Sequence, residues 1–482
     1  MDRVGLTNMP GEVLHNIAAK VTPKDLASLL HVSRLFHNLV DQNQTLPKDV
    51  YQFNFEHQLN YVYVMVHRLV KHASSAGYSD QSSNQLASKN MIFLKGLFDG
   101  KMNQIAFMHK SSLFERIYNI LDWEFSCVPL TNKQKQLSAK LHCLSGKPIL
   151  KVGNSVSIKT YPYACSMVYD LRRHNPQNKW GPFRDDGSGR VDWEKVEAIF
   201  IVLGHNIYSK KLVRTFGDIW NNPFSGSWKG SFSSPSPNPD FKEVDAEDPY
   251  GVTGTWYRMV SSLDYDDFFS YNFTHPGRHQ TPRPPLHIGE MTRFGIMRIH
   301  VTKVEEAKTG SGYSMNYPVV HYEGTCSPLD RSFDIGLPYE IQGFVGMTRY
   351  GDVHWTSVSL IQGQERWKNE GIQIGGLRSA RGVLGNWFDV DHHPHGPCGP
   401  LAYWKVSDSE SELQVHTDLP RSFFLWNMLI HTNDSEDSEY DVDGPTDDED
   451  DSESGLPSLL VDTVMEIVEV TDFLEEEPSS NA

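Results

Sequence analysis

Residues 297–301 read Met297-Arg298-Ile299-His300-Val301, with an apolar residue at every second position. A strand turns alternate side chains to opposite faces, so this period of two predicts a β-strand with one buried face. Residues 358–360 (VSL) repeat the alternation, and residues 371–376 (GIQIGG) read as a strand that ends in a turn. Segments of this kind dominate from about residue 220 onward. The pattern therefore predicts a mainly antiparallel β domain over residues 220–406.

A glycine stands two residues before a tryptophan three times in this region, and the motifs end at Trp228, Trp256 and Trp387. Such repetition predicts a closed barrel in which tryptophan rings fill one end and the glycines allow close approach of backbones. The alternative is three unrelated buried tryptophans among the 11 of the chain. The side chains that we assign to the barrel, as structural or substrate-contacting groups, are Trp228, Trp256, Arg381 and Trp387.

Residues 49–219 favour a helical connecting layer. Apolar residues recur at helical spacing over much of residues 51–145, and residues 191–203 predict another helix that ends at Gly204. Two proline-rich segments, residues 233–249 and 274–285, read as loops too irregular for a core and as candidate recognition loops.

The first 48 residues predict three short helices. Pro10 suits the first position of a helix, and Thr22 followed by Pro23 starts the next one. Helices this short do not stand alone, and their apolar stripes exceed what forty residues can hide. Either the segment docks on the rest of the chain or it binds a partner.

These stripes resemble an F-box, which implies binding to a Skp-type adaptor and, through it, to a cullin-based ubiquitin ligase. The resemblance is nearly continuous over residues 5–40. It departs from the family at Met9, where leucine is usual, and after Val40, where a tryptophan is often found. The adaptor-binding residues that it implies are Met9, Pro10, Val13, Leu14, Ile17, Leu26, Leu29, Val32, Ser33 and Phe36.

Residues 196–405 also resemble a group of fungal F-box proteins. The segments that carry this resemblance include residues 214–220 (RTFGDIW), 248–256 (DPYGVTGTW), 370–376 (EGIQIGG) and 379–382 (SARG). Proteins of this kind look similar to animal F-box proteins whose C-terminal β-barrel binds substrates.

The formal net charge of −17 comes from the C-terminal tail. Residues 431–482 hold 19 acidic residues and no lysine or arginine, which leaves 42 acidic against 44 basic residues elsewhere. No basic footprint for nucleic acid or a membrane is visible. Residues 434–454 predict a disordered run. Near the end of the tail, the stretch Ile467-Val468-Glu469-Val470 reads either as a SUMO-interacting strand or as part of a helix that docks on the body.

Catalytic signatures are missing from the sequence: it has no Gly-x-Ser-x-Gly elbow, no phosphate-binding loop and no His-Glu-x-x-His. The cluster of Asp, His and Cys between Asp389 and Cys398 offers metal-ligand chemistry, but its prolines and glycines favour a solvated turn. Five widely spaced cysteines predict reduced thiols, and no apolar run approaches the ~18 residues of a membrane span. We expect no catalytic residue, cofactor or metal, and a location in cytoplasm or nucleus.

The sequence thus predicts an α+β protein: an F-box of three helices (1–48), a helical layer (49–219), a barrel-like β domain (220–406) and an acidic disordered tail (431–482). Its expected function is that of a substrate receptor in an SCF-type ubiquitin ligase, with an unknown protein target. The alternative is a barrel that binds a small apolar ligand, with the F-box as a dock or as a module that couples ligand to degradation. An enlarged apolar interior would favour the ligand, and an interior filled by side chains the protein target.

Overall fold

The computed structural model describes residues 103–120, 130–145, 155–209, 247–329, 338–377 and 382–407, together with residues 62–64, 66, 98 and 410. The predicted F-box helices and acidic tail lie outside these residues. Within them the chain forms a β-barrel and a helical layer. The strands are β1 (Gly254–Ser262), β2 (Met291–Glu305), β3 (Val319–Pro328), β4 (Tyr339–Met347), β5 (Val353–Ile361), β6 (Gln364–Gln373), β7 (Val383–Asp389) and β8 (Cys398–Ser407).

The eight strands form a closed barrel in which every neighbouring pair is antiparallel and each strand pairs with the next along the chain. Closure comes from β1, which also pairs with β8 through Arg258 opposite Tyr403. The predicted antiparallel barrel is confirmed. A sheet closed in this way has no open edge at which another chain could add a strand.

The residues of the β5–β6 turn explain its tight conformation. Gln362 and Gly363 join β5 to β6 as a two-residue turn, and both have positive φ, 54° and 76°. That conformation matches the twist of the flanking strands, and glycine adopts it at little cost. The turn sets the pairing of Ile361 with Gln364, and a bulge between Ser359 and Leu360 then shifts the register of β5 against β6.

Five α-helices are described: α1 (Ser112–Ile120), α2 (Asn132–Ser145), α3 (Ser155–Val168), α4 (Trp193–Ser209) and α5 (Tyr265–Phe269). Thr131 and Gln134 start α2 with a reciprocal capping box, since the Thr131 amide donates to Gln134 Oε1 (2.7 Å) and the Gln134 amide to Thr131 Oγ1 (3.3 Å). Single-turn π-helices occupy Gln104–Met108 and Ser270–Thr274, and 3₁₀ turns occupy Leu171–Arg173, Pro176–Asn178 and Pro276–His279.

Helix α4 is the centre of the helical layer. Nearly every residue from Trp193 to Ile207 is buried, which is the pattern of a helix surrounded on all sides. The predicted helix is confirmed, but the predicted stop at Gly204 is wrong, because α4 continues to Ser209. Because packing surrounds α4 on all sides, the helix continues past Gly204.

The strands divide their side chains between two apolar clusters. One cluster joins the helices to the outer face of β1, β2 and β6–β8, through residues such as Met259, Ile372 and Trp404. The other contains inward-facing residues of β1–β5, β7 and β8, such as Trp256 and Tyr403, and fills the barrel interior. The layer is thus one wall of the molecule, and the barrel interior is a separate compartment.

A buried carboxylate pins this layer to the barrel. Glu290, which precedes β2 and is 2% exposed, accepts hydrogen bonds from Tyr161 Oη (2.6 Å), Tyr169 Oη and Asn206 Nδ2 (2.9 Å). Its donors come from α3, α4 and the residue after α3. Because a buried carboxylate without donors would be costly, this junction holds the layer against β1 and β2.

Of the two predicted recognition loops, residues 233–246 lie outside the described residues. The other, residues 274–285, is largely exposed up to Pro282 and is held down at its end. Within residues 274–285, Arg283 is 3% exposed and donates to the Tyr271 carbonyl at 2.6 Å. Directly beyond the segment, the Leu286 amide donates to the Pro162 carbonyl of α3 at 2.9 Å. The C-terminal end of this connection is thus anchored on the helical layer, while most of its length is exposed.

Candidate binding site

We call the end of the barrel that carries the β1–β2, β3–β4, β5–β6 and β7–β8 connections the barrel mouth. The predicted barrel tryptophans do not share one end. Trp256, 1% exposed, lies in the interior cluster near the start of β1, whereas Trp387 is half-buried near the mouth. Trp228 and Arg381 lie outside the described residues.

Two tryptophans stand together at the barrel mouth. The rings of Trp367 on β6 and Trp387 on β7 meet edge to face at 5.1 Å, and Trp387 Nε1 donates to the Ser261 carbonyl at 2.9 Å. Gly399 makes room for this bond, because a Cβ there would lie 2.8 Å from the Trp387 ring nitrogen. Both rings remain partly exposed, as aromatic side chains at recognition surfaces often are.

Below the two rings, polar side chains replace the apolar lining. We call this set the Arg258 layer; it consists of Arg258, Tyr339, Ser357, Ser359, Asn369 and Tyr403, contributed by β1, β4, β5, β6 and β8. The Arg258 guanidinium spans the interior from β1. Its Nη1 donates to Tyr339 Oη, and its Nη2 to Asn369 Oδ1 at 3.3 Å. Asn369 in turn donates to Ser357 Oγ at 2.8 Å.

Electrostatically, this layer is a buried cation among neutral groups. Burial lowers the pKa of Arg258, but the neighbouring Tyr339, Cys326 and Tyr403 raise it by more, and the net shift is upward. Burial raises the pKa of Tyr403 to about 12 and raises that of Tyr339 as well. At neutral pH the guanidinium is therefore charged while the phenols are not. Among the described residues, no carboxylate lies within ion-pair distance of Arg258.

The opposite half of the interior is filled by side chains. Trp256 and Trp355 meet edge to face at 5.1 Å, and Tyr322 lies beside Trp355 at 5.5 Å. The ring of Tyr322 also occupies the space above Gly343, where an added Cβ would come within 2.7 Å of it. Because side chains fill this half of the barrel interior, the packing favours a protein target over an apolar ligand held there.

The cluster between Asp389 and Cys398 forms the β7–β8 connection at the barrel mouth. His392 stacks on Trp180 with ring centroids 3.6 Å apart, and His395 packs edge-on against Phe273 at 4.5 Å. Cys398 is 2% exposed and belongs to the cluster that faces the helices. Within the described ranges no group of three potential ligands is arranged to hold a metal ion. These side chains pack the loop against the helical layer.

Sequence reasoning missed the Arg258 layer. The available signal was a charge on the buried period of β1, where Arg258 follows Trp256 by two residues and so shares its face. The polar residues on β4, β5 and β6 gave no comparable signal, because only closure of the barrel brings them together. The described cysteines, Cys143, Cys165, Cys326 and Cys398, are free and buried, as reduced thiols would be. Among the described residues, no helix has the length and apolar character needed to cross a bilayer.

Comparison with known proteins adds one finding. Residues 6–48 match the F-box domain. No curated protein and no solved structure matches the chain. The match covers the segment whose apolar stripes predicted a partner, and it indicates a role in binding the adaptor of an SCF-type ubiquitin ligase.

Proposed function

We propose that the chain is a substrate receptor of an SCF-type ubiquitin ligase. The observation that carries this proposal is the F-box match at residues 6–48, followed along the chain by a closed barrel with an aromatic and polar mouth. The F-box binds a Skp-type adaptor, and the barrel mouth binds a target protein. The resemblance to fungal F-box proteins supports the same division of roles.

In this role the chain performs no covalent chemistry of its own. It holds a lysine of the target near the ubiquitin-charged module of the ligase, which turns a chance encounter into a positioned reaction. The half-buried pair Trp367 and Trp387 supplies apolar area for the target at the barrel mouth. The protein is located where the ligase acts, in cytoplasm or nucleus. The segment Ile467–Val470, which lies outside the described residues, offers a second contact of the SUMO-binding type.

A single substitution tests the adaptor contact. Leu14→Asp places a charge on the apolar stripe of the first predicted helix, and we expect it to abolish co-purification with a Skp-type adaptor. Asn16→Asp is the matched control, because it adds the same charge off the stripe and should leave binding intact. Adaptor binding by the Leu14→Asp chain at the wild-type level would refute the proposal.

The same variant also identifies the target. A receptor that cannot reach the ligase still binds its target, so true targets should co-purify with the Leu14→Asp chain and rise in abundance when it replaces the wild type. Adding Trp387→Ala should remove those proteins from the purified chain. If they remain bound, the target contacts another surface than the barrel mouth.

A further inference from the structure

We propose that the barrel holds a small carboxylate group against Arg258, in a site that exists whether or not the chain binds an adaptor. Arg258 is 7% exposed, and its Nε has no hydrogen-bond partner in the described part of the chain. Its other contacts, with Tyr339, Asn369 and Cys326, are to neutral groups, so no anion among the described residues balances the buried charge, and a buried charge without a counter-charge is costly. Its presence points to an anion that completes the site.

The position of the guanidinium follows from its two partners. Tyr339 lies on β4 and Asn369 on β6, and β5 runs between those strands. The guanidinium therefore lies against β5, whose side chains facing the interior at this level are Ser357 and Ser359. Arg258 thus brings its charge to the part of the wall where the hydroxyls are concentrated.

Two more hydroxyls of the Arg258 layer are poorly satisfied, each on a residue 1% exposed. Ser359 Oγ has no partner among the described residues, and Tyr403 Oη has no well-aligned one. Burial raises the pKa of Tyr403, and a weak side-chain hydrogen bond with Ser357 partly offsets that rise. Tyr403 pairs across the sheet with Arg258, and Ser359 lies two residues from the hydroxyl that Asn369 contacts. Buried polar groups in native proteins are rarely left unsatisfied, and in this layer Arg258 Nε and Ser359 Oγ have no partner while Tyr403 Oη has only a weak one.

The chemistry of these donors selects the ligand. One guanidinium and two hydroxyls balance one negative charge and offer several directed hydrogen bonds, which suits a planar carboxylate. A phosphate carries more charge at neutral pH and would call for a second cation, which the described residues of the layer do not supply. The group reaches the site past Val260 and Trp387, which are only partly buried between the layer and the barrel mouth.

The carboxylate comes either from a free small acid or from an acidic side chain of a bound protein. Both sources present the same group to Arg258. They differ in how much else they contact: a free acid needs only the Arg258 layer, whereas a protein also covers the two tryptophans at the mouth.

The test is the melting temperature of the full chain during titration with sodium acetate, with sodium chloride at equal ionic strength as the comparison. We expect acetate to raise the melting temperature saturably and chloride to leave it nearly unchanged. Arg258→Met should abolish the response, and its own melting temperature without acetate is the baseline, because the substitution removes a buried charge but also leaves Tyr339 and Asn369 without their donor. Arg349→Met, an exposed arginine at the opposite end of the barrel, should respond as the wild type does.

Two further arms keep the result clear if Arg258→Met fails to fold. Tyr403→Phe removes one donor and should weaken acetate binding about five- to tenfold. The blocked peptide acetyl-Ala-Glu-Ala-amide, compared with its glutamine counterpart, tests whether the carboxylate belongs to a bound protein. If the peptide binds more tightly than acetate, the carboxylate comes from a target protein. If it binds more weakly, the carboxylate comes from a free acid. An equal response to chloride, an equal response in Arg258→Met or Tyr403→Phe, or no response to either probe would overturn the proposal. Leu14→Asp should respond fully to acetate, which separates this result from that of adaptor binding.

Discussion

At the scale of single residues, the tryptophans of the barrel have different environments. Trp256 is fully enclosed: its Nε1 donates to the Val252 carbonyl at 2.9 Å and its ring contacts Trp355. Trp367 is half-buried at the mouth, with the Arg366 guanidinium 4.9 Å above its ring. The sequence motif around Trp256 therefore marks a structural residue, while a partly exposed ring is free to bind a target.

This difference predicts different costs of truncation. Trp256→Ala should lower the free energy of unfolding by about 3 to 5 kcal/mol, because it empties a large volume in a packed interior. Trp367→Ala is the control and should cost clearly less, since its ring already contacts solvent. Urea unfolding followed by circular dichroism at β-strand wavelengths measures both. Equal losses for the two variants would contradict this account of the interior.

At the scale of elements, period and turn chemistry predicted the strands well. Residues 297–301 lie in β2, residues 358–360 in β5, and residues 371–376 form the end of β6 with the turn that follows. The alternation survives in β2, where Met297, Ile299 and Val301 are buried. In β5 it is reversed, because Ser359 is buried in the interior while Val358 and Leu360 are partly exposed. The helix predicted at residues 191–203 is confirmed as a helix, but it extends further, to Ser209.

What the sequence could not supply was long-range arrangement. Arg258 meets Tyr339 and Asn369 only because the barrel closes, and those residues are separated from it by 81 and 111 positions. In the same way, no local pattern shows that Arg283 is buried and donates to the Tyr271 carbonyl. Propensity describes what one segment prefers, whereas a site of this kind depends on pairings across the whole chain.

One buried lysine joins two elements and gives a dependence on pH. Lys195, in the first turn of α4 and 1% exposed, donates to the carbonyls of Arg173 (2.8 Å) and Gly181 (2.9 Å) in the connection from α3. Burial, and next the charge of Arg173, lower the pKa of Lys195 to about 8 from 10.5. Between these pH values the unfolded chain binds the proton and the folded chain has released it, so stability contributed by this group rises with pH.

The expected outcome is a difference between variants. From pH 7.5 to 10.5, the free energy of unfolding of the wild type should rise relative to Lys195→Met, by up to about 3 kcal/mol. Lys303→Met removes a lysine that is 61% exposed in its side chain and should show no such trend. Urea unfolding at several pH values provides the measurement. A constant difference between the wild type and Lys195→Met would show that the folded lysine keeps its ordinary pKa.

At the scale of the whole molecule, the barrel is complete between Gly254 and Ser407. All eight strands and both partners of the closing β1–β8 pair lie in this interval, so neither end of the chain contributes a strand. The F-box match at residues 6–48 and the acidic residues 431–482 lie far from it in sequence. We infer that adaptor binding and barrel stability are separable properties.

Truncations test this separation. A chain that lacks residues 1–48 should lose adaptor binding and keep the urea midpoint of the barrel, followed by tryptophan fluorescence, because it retains every strand. A chain that lacks residues 431–482 should keep both properties, since the acidic tail belongs to neither region. A chain that ends before Cys398 is the control: without β8 the sheet cannot close, and two strands are left with unpaired backbone groups, so the cooperative transition should disappear. If removal of residues 431–482 instead lowered the midpoint or prevented adaptor binding, the tail would be part of the folded core and the division of the chain would be wrong.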